Sequence, residues 1–161
     1  MIKVLLFDFS RVLLHPTDKT FSGSLNNLHK ELKNNESFYV FNYFELNQEL
    51  LEFLKTLKEK YQLCIFTTDI IQNDPLIREK IDPIFYKIYS ANELGITKRD
   101  PESYNFIAQD LGVSTGEIFF TDDTPGNIEA AKEAGIKTHL FVSNPELINT
   151  LKSLSSAYGR F

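Results

Sequence analysis

Five short apolar runs, each of strand length and each ending in polar residues, constrain the fold of this chain more than any other feature. They are IKVLLFD (2–8), QLCIFTTD (62–69), YKIYS (86–90), EIFFTDD (117–123) and KTHLFVS (137–143). Their hydrophobicity is continuous rather than alternating, which is typical of strands buried on both faces of a parallel sheet.

Helical patterns fill the gaps between these runs. Segment 46–61 places five apolar residues on one face, namely Leu46, Leu50, Leu54, Leu57 and Tyr61. Four later helices are predicted where a capping residue precedes a proline, at Asp74, Asp100, Thr124 and Asn144. Strands alternating with helices imply right-handed crossovers, so we predict an α/β fold: a three-layer α/β/α sandwich around a Rossmann-like parallel five-stranded sheet.

One segment, 16–43, interrupts the alternation. Within it, SLNNLHKELKNN (24–35) could form a short helix, and the aromatic-rich SFYVFNYF (37–44) could be a strand or a packing loop. We see no internal repeat and no low-complexity linker in the 161 residues. The sequence therefore predicts a single domain over residues 1–161, with a small insert at about 16–43.

Charge and composition disfavour several classes of protein. A formal net charge of −5 opposes a general grip on nucleic acid or an anionic membrane. No apolar run reaches the roughly 18 residues that span a bilayer, and Asp8 interrupts what would be a signal peptide. A lone cysteine, Cys64, excludes an intrachain disulfide and is predicted to pack in the core. We expect a cytoplasmic protein that binds neither nucleic acid nor membrane.

The polar residues at the strand ends form the candidate site. Parallel strands present their carboxyl ends to ligands at the same edge of the sheet. The residues expected there, together with one lysine from a nearby loop, are Asp8, Thr67, Thr68, Lys98, Asp122 and Asp123. Three converging carboxylates repel one another and need a cation, and their oxygen ligands suit Mg²⁺. A lysine and hydroxyls beside them would bind an anion, so the set indicates phosphoryl chemistry.

Four motifs in this order resemble the haloacid dehalogenase (HAD) superfamily of hydrolases, in its phosphatase-rich branch. DFSRV supplies the first aspartate, and LCIFTTD supplies a strand-end hydroxyl from Thr67 or Thr68. ELGITKRDPESY supplies Lys98, and IFFTDDTPGNIEAAKEAG supplies an acidic pair. The resemblance extends over about 2–142, apart from 16–43, where this branch usually has a larger helical cap.

The resemblance implies a role for each of these residues. Asp8 would attack phosphorus and form an aspartyl phosphate. Asp8, the backbone carbonyl of Ser10, Asp122 and Asp123 would hold Mg²⁺. The hydroxyl of Thr67 or Thr68, together with Lys98, would bind the phosphoryl oxygens. A short insert implies an open cleft, which suits a phosphorylated small molecule or a macromolecular substrate, and we expect the insert to lie over that cleft.

Ser10 departs from the family pattern. Most of these phosphatases carry there an aspartate that protonates the leaving group and later activates water. Serine keeps the backbone carbonyl but cannot act as that acid or base, which is typically worth about 10²–10⁴-fold in rate. The P-type ATPases of the superfamily carry threonine at this position and the phosphonatases carry alanine, so the acid is not universal. Arg11 also departs, since it replaces the usual glycine.

Two hypotheses follow from these departures. The first is a magnesium-dependent phosphatase or phosphotransferase that uses an aspartyl phosphate. The second is a catalytically impaired relative that acts as a binding or scaffold protein.

Other families that gather similar residues fit less well. A true dehalogenase would lack the metal-binding acidic pair that Asp122 and Asp123 form here. A receiver domain carries its acidic pair after the first strand, whereas here the pair follows the fourth. A dinucleotide-binding domain would have a G-x-G-x-x-G turn after the first strand. The three histidines lack metal-ligand spacing; we expect His139 to be packed and His15 and His29 to be exposed.

Overall fold

A computed structural model of the chain describes residues 1–157. In chain order its strands are β1 (Val4–Phe7), β2 (Leu14–Pro16), β3 (Phe44–Leu46), β4 (Gln62–Thr67), β5 (Lys87–Ser90), β6 (Ile118–Asp122) and β7 (Lys137–Leu140). Its α-helices are α1 (Leu25–Leu32), α2 (Val40–Tyr43), α3 (Gln48–Lys55), α4 (Pro75–Ile81), α5 (Ala91–Leu94), α6 (Pro101–Leu111), α7 (Pro125–Glu133) and α8 (Asn144–Ser156). Two 3₁₀ turns lie at Ile71–Asn73 and Thr115–Glu117.

The central sheet has five strands in the order β5-β4-β1-β6-β7, and all neighbouring pairs are parallel. Strand β1 lies in the middle, where Leu6 is in register with Cys64 on one side and Phe120 on the other. The carboxyl end of β1 is therefore flanked by the carboxyl ends of β4 and β6. The predicted parallel five-stranded sheet is confirmed.

Side chains of β1 alternate between two hydrophobic layers. Leu5 and Phe7 pack in a cluster with residues of α3, α4 and α8. Val4 and Leu6 pack in a second cluster with residues of α6 and α7. All four are fully buried, which explains why the run reads as continuously apolar rather than alternating. The predicted three-layer sandwich is confirmed.

The insert is framed by an antiparallel pair, β2 and β3, in which Leu14 lies opposite Leu46. Helices α1 and α2 lie between these strands, and Leu25, Val40 and Phe44 join the same cluster as Leu5 and Phe7. Half of segment 37–44, predicted as a strand or a packing loop, is the short helix α2, and Phe44 begins β3. The insert therefore shares the hydrophobic core of the sheet, and the single domain over residues 1–161 stays a prediction.

Several predicted boundaries were wrong. The helix predicted over 46–61 is confined to Gln48–Lys55, because Leu46 belongs to β3 and Thr56 ends the helix by donating its N–H and hydroxyl to the Phe53 carbonyl. The sheet strands are shorter than the apolar runs, with β1 ending before Asp8 and β7 ending at Leu140.

Two local features of side chains and caps also differ from prediction. The N-cap of α8 is Ser143 rather than Asn144, whose amide bonds to Asn47 and Glu49. His29 is buried rather than exposed, because its ring packs against Phe38 and Phe44 in the insert.

Cys64 is fully buried in the core, as predicted. Across residues 1–157 there is no helix with both the length and the apolar character needed to cross a bilayer.

Candidate active site

Asp8 follows β1 directly and is held by the backbone around it. Its N–H donates to the carbonyl of Thr121 at 2.8 Å, which extends the pairing with β6 by one residue. Its Oδ1 accepts the N–H of Phe9 at 2.7 Å. The buried strand therefore delivers a carboxylate that is only 6% exposed and is fixed in orientation.

Lys98 joins two of the acids in the interior. From the loop before α6, its Nζ donates to Asp8 Oδ1 at 2.7 Å and lies 2.6 Å from Asp122 Oδ2. The ammonium also lies 5.5 and 5.7 Å from the ring centroids of Phe66 and Phe120. Burial disfavours the charged form of Lys98 and so lowers its pKa. The two carboxylates favour the charged form more strongly, and the pKa of this lysine is raised above its ordinary value.

Two further residues position Lys98 and Asp122, and sequence reasoning missed both. The buried hydroxyl of Tyr104 lies within hydrogen-bonding distance of two carbonyls, those of Lys98 at 2.8 Å and Asn127 at 3.1 Å. The side-chain amide of Asn127 donates to Asp122 Oδ2 at 3.0 Å. The apolar stripe of α6 places Tyr104 in the core, but nothing in that stripe indicates where its hydroxyl goes.

The acidic pair ends β6 at the start of α7. Asp122 is fully buried, and its Oδ1 accepts the N–H of Thr124 at 2.8 Å. Asp123 is partly exposed. Oxygen atoms of Asp8, Asp122 and Asp123 all lie within 4.8 Å of one another, and residues 1–157 contain no other cluster of this kind.

The acids of this cluster are buried close together, and this disfavours their charged forms. Burial raises the pKa of Asp8 to about 8, Asp122 and Asp123 push it in the same direction, and Lys98 opposes them. Burial and the neighbouring Asp122 also raise the pKa of Asp123. One lysine thus does not balance three carboxylates, and the all-oxygen donor set fits the ligand preference of Mg²⁺.

Ser10 lies two residues after Asp8 and lines the cleft. Its Oγ is buried and has no hydrogen-bond partner within residues 1–157. Two backbone hydrogen bonds form a local bridge between Ser10 and Leu14. The Arg11 N–H donates to the Leu14 carbonyl, and the Leu14 N–H donates to the Phe9 carbonyl, so the Ser10 carbonyl takes no part in the bridge. That carbonyl therefore remains compatible with the predicted role as a metal ligand.

The predicted site residues surround one cavity of about 170 Å³. Both candidate hydroxyls line it: Thr67 is buried at the end of β4, whereas Thr68 is exposed. The other lining residues are Asp8, Ser10, Arg11, Ser24, Leu25, Asn26, Lys98, Asp123, Thr124 and Asn127. Asp122 lies behind this surface in contact with Lys98. Every residue predicted for the site is therefore brought to the same place, and the insert contributes to its wall.

The profile of haloacid dehalogenase-like hydrolases matches residues 13–135 of the chain. The chain belongs to this family. The match begins after Asp8 and Ser10, so it covers Lys98 and the acidic pair but not the first motif. The resemblance inferred from the four motifs is confirmed.

Two curated proteins that are similar to part of the chain are named as phosphatases. An enolase-phosphatase E1 of Marinobacter nauticus is 35% identical over 69 residues, which are 43% of this chain and 30% of the relative. A D-ribitol-5-phosphate phosphatase of Bacteroides thetaiotaomicron is 40% identical over 52 residues, which are 32% of this chain and 25% of the relative. The chain thus aligns with a third or less of the length of these two proteins.

Solved structures resemble most of the chain at low identity. A HAD family enzyme from Bacteroides thetaiotaomicron, crystallised with magnesium and inorganic phosphate, superposes with a TM-score of 0.64 at 18% identity, covering 89% of this chain and 96% of that one. A HAD-like family hydrolase from Porphyromonas gingivalis superposes with a TM-score of 0.69 at 18% identity, covering 96% and 98%. These likenesses show the fold.

Proposed function

We propose that this chain is a magnesium-dependent phosphatase or phosphotransferase that forms an aspartyl phosphate on Asp8. The observation that carries the proposal is the buried Lys98, whose ammonium joins Asp8 to Asp122 at the wall of a small polar cavity. An acid held next to a buried cation, with hydroxyls beside it, is suited to attack on a phosphoryl group.

In this mechanism Asp8 supplies the nucleophile. A carboxylate oxygen forms a bond to phosphorus while the ester P–O bond breaks, and the leaving oxygen departs with the electron pair and takes a proton from solvent. Water or an acceptor hydroxyl then attacks phosphorus and gives its proton to solvent, while the P–O bond to Asp8 breaks and restores the carboxylate. The hydrogen bond from the Phe9 N–H and the ion pair with Lys98 hold the carboxylate in place for the first step.

Lys98 and a threonine hydroxyl would bind the phosphoryl oxygens. An ammonium has three N–H donors, and two of them are directed to Asp8 and Asp122, which leaves one for a ligand. Thr67 is held at a buried strand end and Thr68 is exposed beside it, so each is placed to donate a hydroxyl.

Mg²⁺ would be held by Asp8, the Ser10 carbonyl, Asp122 and Asp123. When bound, the ion supplies positive charge that offsets the carboxylates and the phosphoryl oxygens. The support for this assignment is the convergence of the three acids within 4.8 Å and the raised pKa of Asp8.

The substrate we propose is a phosphorylated small molecule. Both curated relatives described above are named as phosphatases, and the cavity volume of about 170 Å³ suits a phosphoryl group with a short leaving group. Residues 16–43 would act as a reduced cap, since Ser24, Leu25 and Asn26 line the cleft.

A second candidate is a catalytically impaired member of the family that acts as a binding protein. The observation that favours it is Ser10, whose hydroxyl lies two residues after Asp8, where most phosphatases of the family carry a carboxylate, and has no partner within residues 1–157.

A phosphatase screen with purified protein, with and without Mg²⁺, tests the two against each other. Wild type and the surface control Asp110→Asn should release phosphate from esters only with Mg²⁺, and Asp8→Asn should release none. If wild type is inactive on all esters while Mg²⁺ still binds, the binding-protein candidate replaces the enzyme.

A further inference from the structure

Arg11 stands at the cleft in a backbone conformation that glycine would adopt more readily. Its φ angle is +64°, in the left-handed region that costs free energy for a residue with a Cβ atom. Arg11 is the one non-glycine residue with positive φ in the described part of the chain. An arginine is therefore present at this turn although its backbone conformation is unfavourable, and we expect its side chain to have a role.

The guanidinium of Arg11 is held by the first loop of the insert. Its Nη2 donates to the carbonyls of Phe21 at 3.1 Å and Gly23 at 2.7 Å. Gly23 allows this loop to close tightly, because a Cβ atom there would lie 2.7 Å from the Phe21 ring. The carbonyl contacts fix the position of the arginine and leave its charge unneutralised.

Arg11 has no acidic partner among residues 1–157, since both of its hydrogen bonds are to carbonyl oxygens. Lys98, in contrast, is already paired with two carboxylates. A guanidinium has five N–H donors, and those of Nε and Nη1 remain for a ligand. Because Arg11 lines the same cavity as Asp8 and Lys98, a molecule bound there can meet a second cation.

We propose that Arg11 binds a carboxylate on the leaving group, so that the substrate is a short phosphorylated hydroxy acid. This inference rests on the proposed function, because the phosphoryl group must lie at Asp8. A planar guanidinium pairs with a carboxylate through two parallel hydrogen bonds, which makes it a selective receptor. Arg11 lines a cavity of only about 170 Å³, so an anion that it binds there must be small.

The alternative is that Arg11 only ties the insert to the turn after β1. Loosening that tie would affect every substrate equally, whereas losing a carboxylate receptor would affect only substrates that carry one. Two esters that share a carbon skeleton separate the two roles. In 3-phosphoglycerate one end is a carboxylate, and in glycerol 3-phosphate the same end is a neutral hydroxymethyl group.

The experiment measures kcat/KM for both esters, with Mg²⁺, in wild type, Arg11→Gln, Arg11→Lys and the remote control Arg78→Gln. Arg11→Gln should lower kcat/KM for 3-phosphoglycerate by about 10- to 100-fold, the range for a lost hydrogen bond to a charged group. The loss should appear mainly in KM, since the carboxylate is bound equally before and during the reaction. Glycerol 3-phosphate should change by less than about threefold, and Arg11→Lys should keep part of the preference.

Equal losses on both esters in Arg11→Gln would overturn the proposal and leave a structural tie. If wild type turns over neither ester, calorimetric binding of the intact esters tests Arg11 separately from the proposed function. Wild type should bind 3-phosphoglycerate at least about tenfold more tightly than glycerol 3-phosphate, and Arg11→Gln should abolish that difference. Equal affinities in wild type would overturn the assignment of Arg11.

Discussion

The ammonium of Lys98 lies 2.6 Å from Asp122, and the two side chains are 3% and 0% exposed. A buried ion pair is stable only while both ions are present, because each ion has lost its hydration. Asp8, at 2.7 Å, makes Lys98 the shared counterion of two carboxylates. The site is therefore held together by the same group that is proposed to bind phosphate.

Replacing Lys98 with methionine should destabilise the metal-free protein strongly. Removing one partner from a buried ion pair typically costs about 3–5 kcal/mol, since the remaining charges are left without compensation. The matched control is Lys132→Met, which removes an exposed lysine paired with Glu129 and should cost less than about 1 kcal/mol. Urea unfolding in EDTA at neutral pH measures both. Similar losses in the two variants would mean that Lys98 does not hold the acids together.

Replacing Asp122 with asparagine should weaken Mg²⁺ binding by more than about tenfold in a calorimetric titration. Asparagine keeps an acceptor for the Thr124 N–H but removes a negatively charged ligand. Ser10→Ala is the informative control, because its backbone carbonyl stays and the affinity should not change. Unchanged affinity in Asp122→Asn would remove Asp122 from the metal site, and weakened affinity in Ser10→Ala would assign the hydroxyl a role.

The convergence of the acids could be predicted because it depends on sheet topology alone. Asp8 follows β1 and Asp122 ends β6, and these two strands are adjacent and parallel. The carboxyl ends of such strands always meet at one edge of the sheet. Lys98 could be placed near them from its motif before the helix that begins at Pro101.

Contacts made between distant loops could not be predicted in this way. The hydrogen bonds from Arg11 to the carbonyls of Phe21 and Gly23 depend on the path of the insert, which no periodic pattern in the sequence encodes. The short helix α2 likewise arises where the aromatic residues of 37–44 pack on the core, and its pattern is too brief to separate helix from strand. The hydroxyl of Tyr104 is a third case, since burial on α6 was predictable but its partners were not.

Replacing Tyr104 with phenylalanine should lower both stability and turnover. The hydroxyl hydrogen bonds with the carbonyls of Lys98 and Asn127, so its loss leaves buried carbonyl oxygens with fewer partners and costs about 1–3 kcal/mol. Turnover should fall because both carbonyls belong to residues that contact Asp122. Tyr86→Phe, at an exposed tyrosine, is the control for urea unfolding and for kinetics. A loss of stability with unchanged kcat would make Tyr104 a purely structural residue.

Replacing Ser10 with aspartate should restore the acid that the cleft lacks. The Ser10 hydroxyl is buried at the cleft and unpartnered within residues 1–157, so the position is available to a polar group that serves the substrate. Turnover of an alkyl phosphate should rise by about one to three orders of magnitude, because its leaving oxygen needs a proton and the later water needs a base. An aryl phosphate should gain less, since its leaving group needs little protonation.

Steady-state hydrolysis of both esters by wild type, Ser10→Asp and the double variant with Asp8→Asn makes the comparison, and Asp8→Asn should abolish activity in each background. If wild type and Ser10→Asp are equally inactive on both esters while Mg²⁺ still binds, the serine is not the only lesion, and a binding role then explains the site better.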